Sequence, residues 1–140
     1  VALVFVSAVH DATVRAVNYA ATLEASETRA NYFDLDPEAA HRMQEEWAEA
    51  GLRMPLDIVE APFRDLTRPT LDEVRRFTSR PGTLAIVVLP EFVVSKWRHR
   101  LLHNQNALFV KRLFLFEPNV VLSSVPYVIS AGTPQEVPAG

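Results

Sequence analysis

Two uninterrupted apolar, β-branched runs stand out along the chain: VALVFVSAV at residues 1–9 and TLAIVVLP at 83–90. A strand with one wet face alternates; a continuous run predicts a strand buried on both faces, as at the centre of a parallel sheet. RANYFDLD at 29–36 predicts another strand, ending in acids. In MPLDIVEAPF at 54–63, Leu56 and Ile58 have opposite parity to Asp57 and Val59, which predicts a less buried strand near a sheet edge, closed by Pro62. NVVLSSVPYVI at 119–129 supplies a fifth.

Helical spacing fills the intervals. Val14, Val17, Ala20, Ala21 and Leu23 recur at steps of three and four, with Asp11 as the expected N-cap. Pro37 opens a second helix through Ala50, with Met43 and Trp47 inward and Gly51 as its stop. Glu45, Glu46, Glu49 and Arg42 form its solvated face. A third helix has Pro69 in its first turn, continues through Val74 and Phe77, and ends at Pro81-Gly82. A fourth opens at His103-Asn104-Gln105, with Leu108, Phe109 and Leu113 packing inward.

This β-α-β-α-β-α-β-α-β alternation predicts an α/β fold: a five-stranded parallel sheet with helices on both faces, joined by right-handed crossovers. The two most apolar strands, first and fourth, are expected as central neighbours. The strand order is then 3-2-1-4-5, an open Rossmann-type arrangement whose crevice lies above the carboxyl ends of those two strands. Residues 1–130 form the expected single domain. The Pro/Gly-rich stretch 131–140 reads as a flexible tail.

Composition narrows the chemistry. A length of 140 residues with 49% hydrophobic content suits one core. The chain has no cysteine, so disulfides, thiol catalysis and cysteine-ligated zinc are excluded, in keeping with a reducing compartment. No run reaches the roughly 18 apolar residues of a membrane-spanning helix, and VALVFV lacks the basic start of a signal peptide. Opening in an apolar run without methionine suggests a segment of something longer.

Net charge is −3, but the signs are segregated. Between Phe92 and Phe116 there is no acid, while Lys96, Arg98, Arg100, Lys111 and Arg112 are basic. The strongly acidic remainder argues against a general nucleic-acid binder, which must neutralise many phosphates. A small anionic ligand asks for less. Catalysis finds no support: there is no G-x-S-x-G elbow, phosphate-binding glycine loop or dinucleotide fingerprint, and Ser123-Ser124 lies inside an apolar strand. His99 and His103 are spaced i,i+4 without an intervening carboxylate or third ligand, so no metal site is expected.

The order of elements resembles the universal stress protein superfamily. Three stretches look like the cytosolic C-terminal domain of bacterial amino-acid-polyamine-organocation permeases, including KUP-like potassium importers. They are APFRDLTRP at 61–69, LLHNQNAL at 101–108 preceded by LPEFVV, and VVLSSVPY at 120–127. The resemblance covers nearly the whole chain. ATP-binding universal stress proteins place glycines after the fourth strand so that backbone amides approach phosphates. Here there is no glycine between Gly82 and Gly132, so ATP or AMP is the weaker expectation. In the KUP-like importers of this group the domain is a dimeric receptor for cyclic di-AMP that shuts down potassium uptake. The resemblance thus implies a non-enzymatic regulatory domain at the cytoplasmic face of the membrane, continuous with a transmembrane transporter and needing no cofactor. The alternative is a ligand-free module that dimerises or assembles the permease.

A cyclic dinucleotide needs aromatic or arginine faces for two adenines, donors for two phosphodiesters, and a two-fold site. Candidates sit at the strand ends: Ser7 and His10 after strand one, Asp34 and Asp36 after strand two, and Pro62, Phe63 and Arg64 after strand three. Pro90, Glu91 and Phe92 follow strand four, and Ser123 and Ser124 lie within strand five. Arg64 beside Asp65 serves either as a stacking or phosphate-binding group or as a salt bridge locking its loop. His103, Asn104 and Gln105 offer a helix N-terminus to an anion, unless Asn104 is simply the cap. Asp34 and Asp36 suit a ribose hydroxyl or magnesium, or serve as loop acids and caps.

Overall fold

The computed structural model describes residues 1–34, 36–61, 65–94 and 105–129. The elements run β1 Ala2–Val6, α1 Asp11–Thr22, β2 Thr28–Asp34, α2 Pro37–Glu49, β3 Leu56–Glu60, α3 Thr67–Thr78, β4 Ala85–Val94, α4 Gln105–Leu113 and β5 Val120–Ile129. They build one five-stranded sheet, all neighbours parallel, in the order 3-2-1-4-5. The expected architecture is the observed one.

Burial on both faces explains the unbroken apolar runs. Leu3 and Phe5 of β1, with Ala85, Val87 and Leu89 of β4, pack against Val74 and Phe77 of α3 and Phe114 beyond α4. Val4, Val6 and Val88 face the opposite layer, where Ala16, Val17 and Ala20 of α1 and Met43 and Trp47 of α2 close over them. Trp47 also donates its indole N–H to the Met54 carbonyl at 2.9 Å, tying α2 to the turn before β3. β3 is an edge, as its alternation indicated, and none of its side chains is fully buried.

Several boundaries differ from expectation: β1, read as 1–9, stops at Val6, and β3, read as 54–63, is confined to Leu56–Glu60. α1 is capped by His10 and not by Asp11: His10 is extended (φ −144°, ψ −178°), and its Nδ1 accepts from the Thr13 amide at 3.4 Å. Asp11 falls in the first turn, where its charge suits the positive helix end, and its carboxylate accepts from the Tyr127 hydroxyl at 3.2 Å. β4, expected to close at Pro90, continues to Val94, because β5 pairs with it along the whole length from Ala85↔Val120 to Val94↔Ile129. Pro90 is tolerated because β4 there is paired with β5 alone. The fourth helix is described from Gln105, so its expected opening at His103 and Asn104 lies outside the described residues.

Candidate functional site

The sheet divides at its carboxyl end. β1 pairs with β4 only from Ala2↔Ile86 to Val4↔Val88; beyond this, Phe5 and Val6 pair with β2 while β4 continues with β5. The divergence lies at the reversal of chain order, where open α/β sheets leave room for a ligand. A cleft of about 360 Å³ opens there. Its floor is formed by Phe5, Val6 and Ser7 from β1, Tyr32 and Phe33 from β2, and Leu89 and Pro90 from β4. Leu66 and Thr70 at the start of α3 and Phe109 and Val110 of α4 make the walls.

The lining is mostly apolar and aromatic, with hydroxyls at Ser7, Tyr32 and Thr70. Phe5 and Phe33 meet edge-to-face at 5.1 Å between centroids, which fixes the floor. Burial first, then the nearby Asp34 and Asp36, pushes the Tyr32 phenol above its ordinary pKa, so it stays a protonated donor at neutral pH. On the α2 side of Ser7 and Tyr32 a smaller recess of about 170 Å³ is lined by Ala39, Arg42, Met43 and Glu46. Arg42, read from the sequence as part of a solvated face, thus brings a guanidinium beside the strand ends.

The expected site residues have separate fates. Ser7 lines both recesses and Pro90 lines the larger. His10 is occupied as a cap, and burial lowers its pKa. Asp34 and Asp36 are turn and cap acids: Asp34 accepts from the Asp36 amide at 2.8 Å, and Asp36 from the Glu38 amide at 3.1 Å. Glu91 lies within β4 and is engaged, accepting from Ser124 Oγ at 3.0 Å and from Lys111 Nζ at 2.8 Å. Lys111 is therefore an ion-pair partner and not a purely solvated charge. Ser123 points to the other face and donates to the Tyr19 hydroxyl at 3.1 Å, so the two serines form no joint site. Phe92 and Gln105 are placed by backbone alone, in β4 and at the first turn of α4. Pro62, Phe63, Arg64, His103 and Asn104 lie outside the described residues. Asp65, which follows Arg64, accepts from the Thr67 amide at 3.0 Å and so organises the entry to α3.

The reading by strand ends missed Phe5, Tyr32, Phe33, Thr70 and Phe109. Position just before a strand end was the available signal for the first three, not parity, since the consecutive Tyr32 and Phe33 face opposite layers. A cleft between diverging strands is floored by residues before their ends, not only after them. Phe109 was assigned to packing, although one side of it faces the opening and it is 40% exposed.

Among the described residues, no group of three or more histidines and carboxylates is arranged to hold a metal ion, and no helix is long and apolar enough to cross a membrane. Comparison with known proteins relates the chain to a transporter family. The family described as the KimA potassium transporter C-terminal domain matches residues 1–127. Potassium transporter KimA of Bacillus subtilis (strain 168) is 23% identical over 130 residues, covering 91% of this chain and 21% of that protein. The chain thus spans about a fifth of the length of the curated relative it matches.

Proposed function

The chain belongs to the KimA potassium transporter C-terminal domain family, and from that premise we propose that it is the regulatory domain of a potassium transporter and binds cyclic di-AMP between two copies. The observation that carries this reading is the cleft where β1 and β4 part. Its volume of about 360 Å³ is at the lower end of small-molecule sites, suited to one nucleoside half of the ligand. Two copies related by a two-fold axis then offer one cleft to each adenine, with Tyr32, Phe33 and Phe109 as aromatic faces. Arg42, together with Arg64 and the basic residues Lys96, Arg98 and Arg100, supplies cations for the phosphodiesters. The domain sits on the cytoplasmic side, continuous with the transporter, and its role is binding and not catalysis. The likeness to universal stress proteins and to the wider permease superfamily is part of the same proposal.

A second reading is supported by β5, an edge strand on which Val121 and Val128 are exposed. Here the domain pairs and assembles the transporter with no ligand. Calorimetry with cyclic di-AMP, ATP, AMP and cyclic di-GMP separates the two. The first reading expects saturable heat with cyclic di-AMP alone, weakened about tenfold or more in Phe109→Ala and by about 1–3 kcal/mol in Arg42→Ala, Arg64→Ala or His103→Ala. Silence with all four ligands leaves the assembly module, and a response to ATP or AMP alone replaces the messenger with an ordinary nucleotide.

A further inference from the structure

The opposite end of the sheet carries an apolar feature that the cleft does not use. α4 ends at Leu113, and in the turn before β5 Leu115 is 67% and Phe116 91% exposed. Both neighbours of this pair are anchored. Phe114 is buried against Phe5, and Glu117 receives two hydrogen bonds from the Arg75 guanidinium, at 2.6 and 2.9 Å. Leu115 and Phe116 are thus held outward by fixed residues on either side, a preorganised apolar tooth.

Its position is defined by the strand starts around it. The Val1 nitrogen lies 2.8 Å from the Leu84 carbonyl oxygen, the Ile86 amide donates to the Val1 carbonyl at 2.8 Å, and the Ala85 amide donates to Asn119 at 2.9 Å. The start of β1, the half-exposed Leu84 and the start of β5 therefore lie side by side at the end where α4 delivers its turn. In a family of transporter C-terminal domains, the chain ahead of the domain approaches at this end, and about four-fifths of the relative's length lies outside the matched region. We infer that Leu115 and Phe116 dock on the portion of the same transporter that precedes Val1. The same helix lines the cleft through Phe109 and Val110, so α4 joins ligand and transporter in one rigid element. This coupling rests on the reading under Proposed function; the docking contact itself does not.

Site-specific photocross-linking of the full-length transporter tests the contact. With p-benzoylphenylalanine in place of Phe116, the expected product joins position 116 to a peptide from the region before Val1. A product with lipid, with the domain of a second copy or within the same domain, or no product, overturns the inference. A companion measurement separates it from the ligand reading: in full-length Phe116→Ser, cyclic di-AMP affinity is expected within twofold of the parent while the ligand's effect on potassium uptake is lost. Absence of binding in the parent defeats the ligand reading and leaves the cross-link to decide docking. Preserved binding with preserved control of uptake in Phe116→Ser defeats the coupling role.

Discussion

Glu91 shows how much a single side chain can change the picture. Its carboxylate is only 12% exposed, and it is satisfied by a strand hydroxyl and a helix ammonium. Removing Lys111 leaves that charge with Ser124 alone among the described residues, in a poorly solvated place, and the half-exposed lysine sets a modest scale for the loss. Lys111→Ala is expected to destabilise the fold by about 1–2 kcal/mol, read as a lower urea midpoint, while Arg112→Ala changes it little. Equal midpoints for Lys111→Ala and the parent would show the pair to be energetically idle.

Two other carboxyls set the acid limit. Arg29, bound to Asp57 through Nε at 2.5 Å and Nη2 at 2.7 Å, holds that carboxyl below its ordinary 3.8, and Arg75 holds Glu117 below its ordinary 4.5. On acidification the unfolded chain takes up these protons first, so both groups stabilise the fold fully above their ordinary values. The contribution is lost as pH falls through the lower folded values. Denaturation across about pH 6 to 2 should therefore show stability dropping below about pH 4.5. Asp57→Asn should be less stable at neutral pH with a shallower acid limb; an unchanged limb would remove Asp57 as a cause.

At the scale of the element, α1 depends on a cap that titrates. His10 must be unprotonated at Nδ1 to accept the Thr13 amide, and burial lowers its pKa from 6.5. The unfolded chain therefore protonates first, and α1 loses stability as pH falls from about 6.5 towards the lower folded value, with no further loss below it. Asn caps without titrating in this range. The parent should melt lower at pH 5.5 than at pH 7.5, and His10→Asn should lose most of that difference. A parent insensitive over this interval would exclude the cap as its source.

For the whole molecule, the two sheet edges contrast. β3 is five residues long, and Asp57 and Glu60 blunt it; β5 is ten residues long, with Val128 63% exposed. A long apolar edge invites pairing, and a two-fold partner closes it without forming an open chain. Light scattering should report a dimer at high micromolar concentration without ligand, and Val128→Asp should shift it to monomer. A monomeric parent would rule out β5 as a self-pairing edge.

Hydrophobic patterning together with the β-α alternation was enough to expect the strand order: the unbroken runs VALVFV and AIVVL suit the centre of a parallel sheet, and the half-polar β3 its edge. It also marked α2, because Pro37 and Gly51 act within one turn of their own positions, Gly51 at φ +71°. The cleft needed the tertiary structure. Where β1 stops pairing with β4 depends on pairing between strands some 80 residues apart, and that divergence brings Phe5, Tyr32, Phe33 and Phe109 around one opening. The roles of Glu91 and Asp11 were equally hidden, since their partners Lys111, Ser124 and Tyr127 are distant in the chain. Periodicity reports which way a side chain faces; what it meets there is set by how distant segments pack, and the candidate site is made of such meetings.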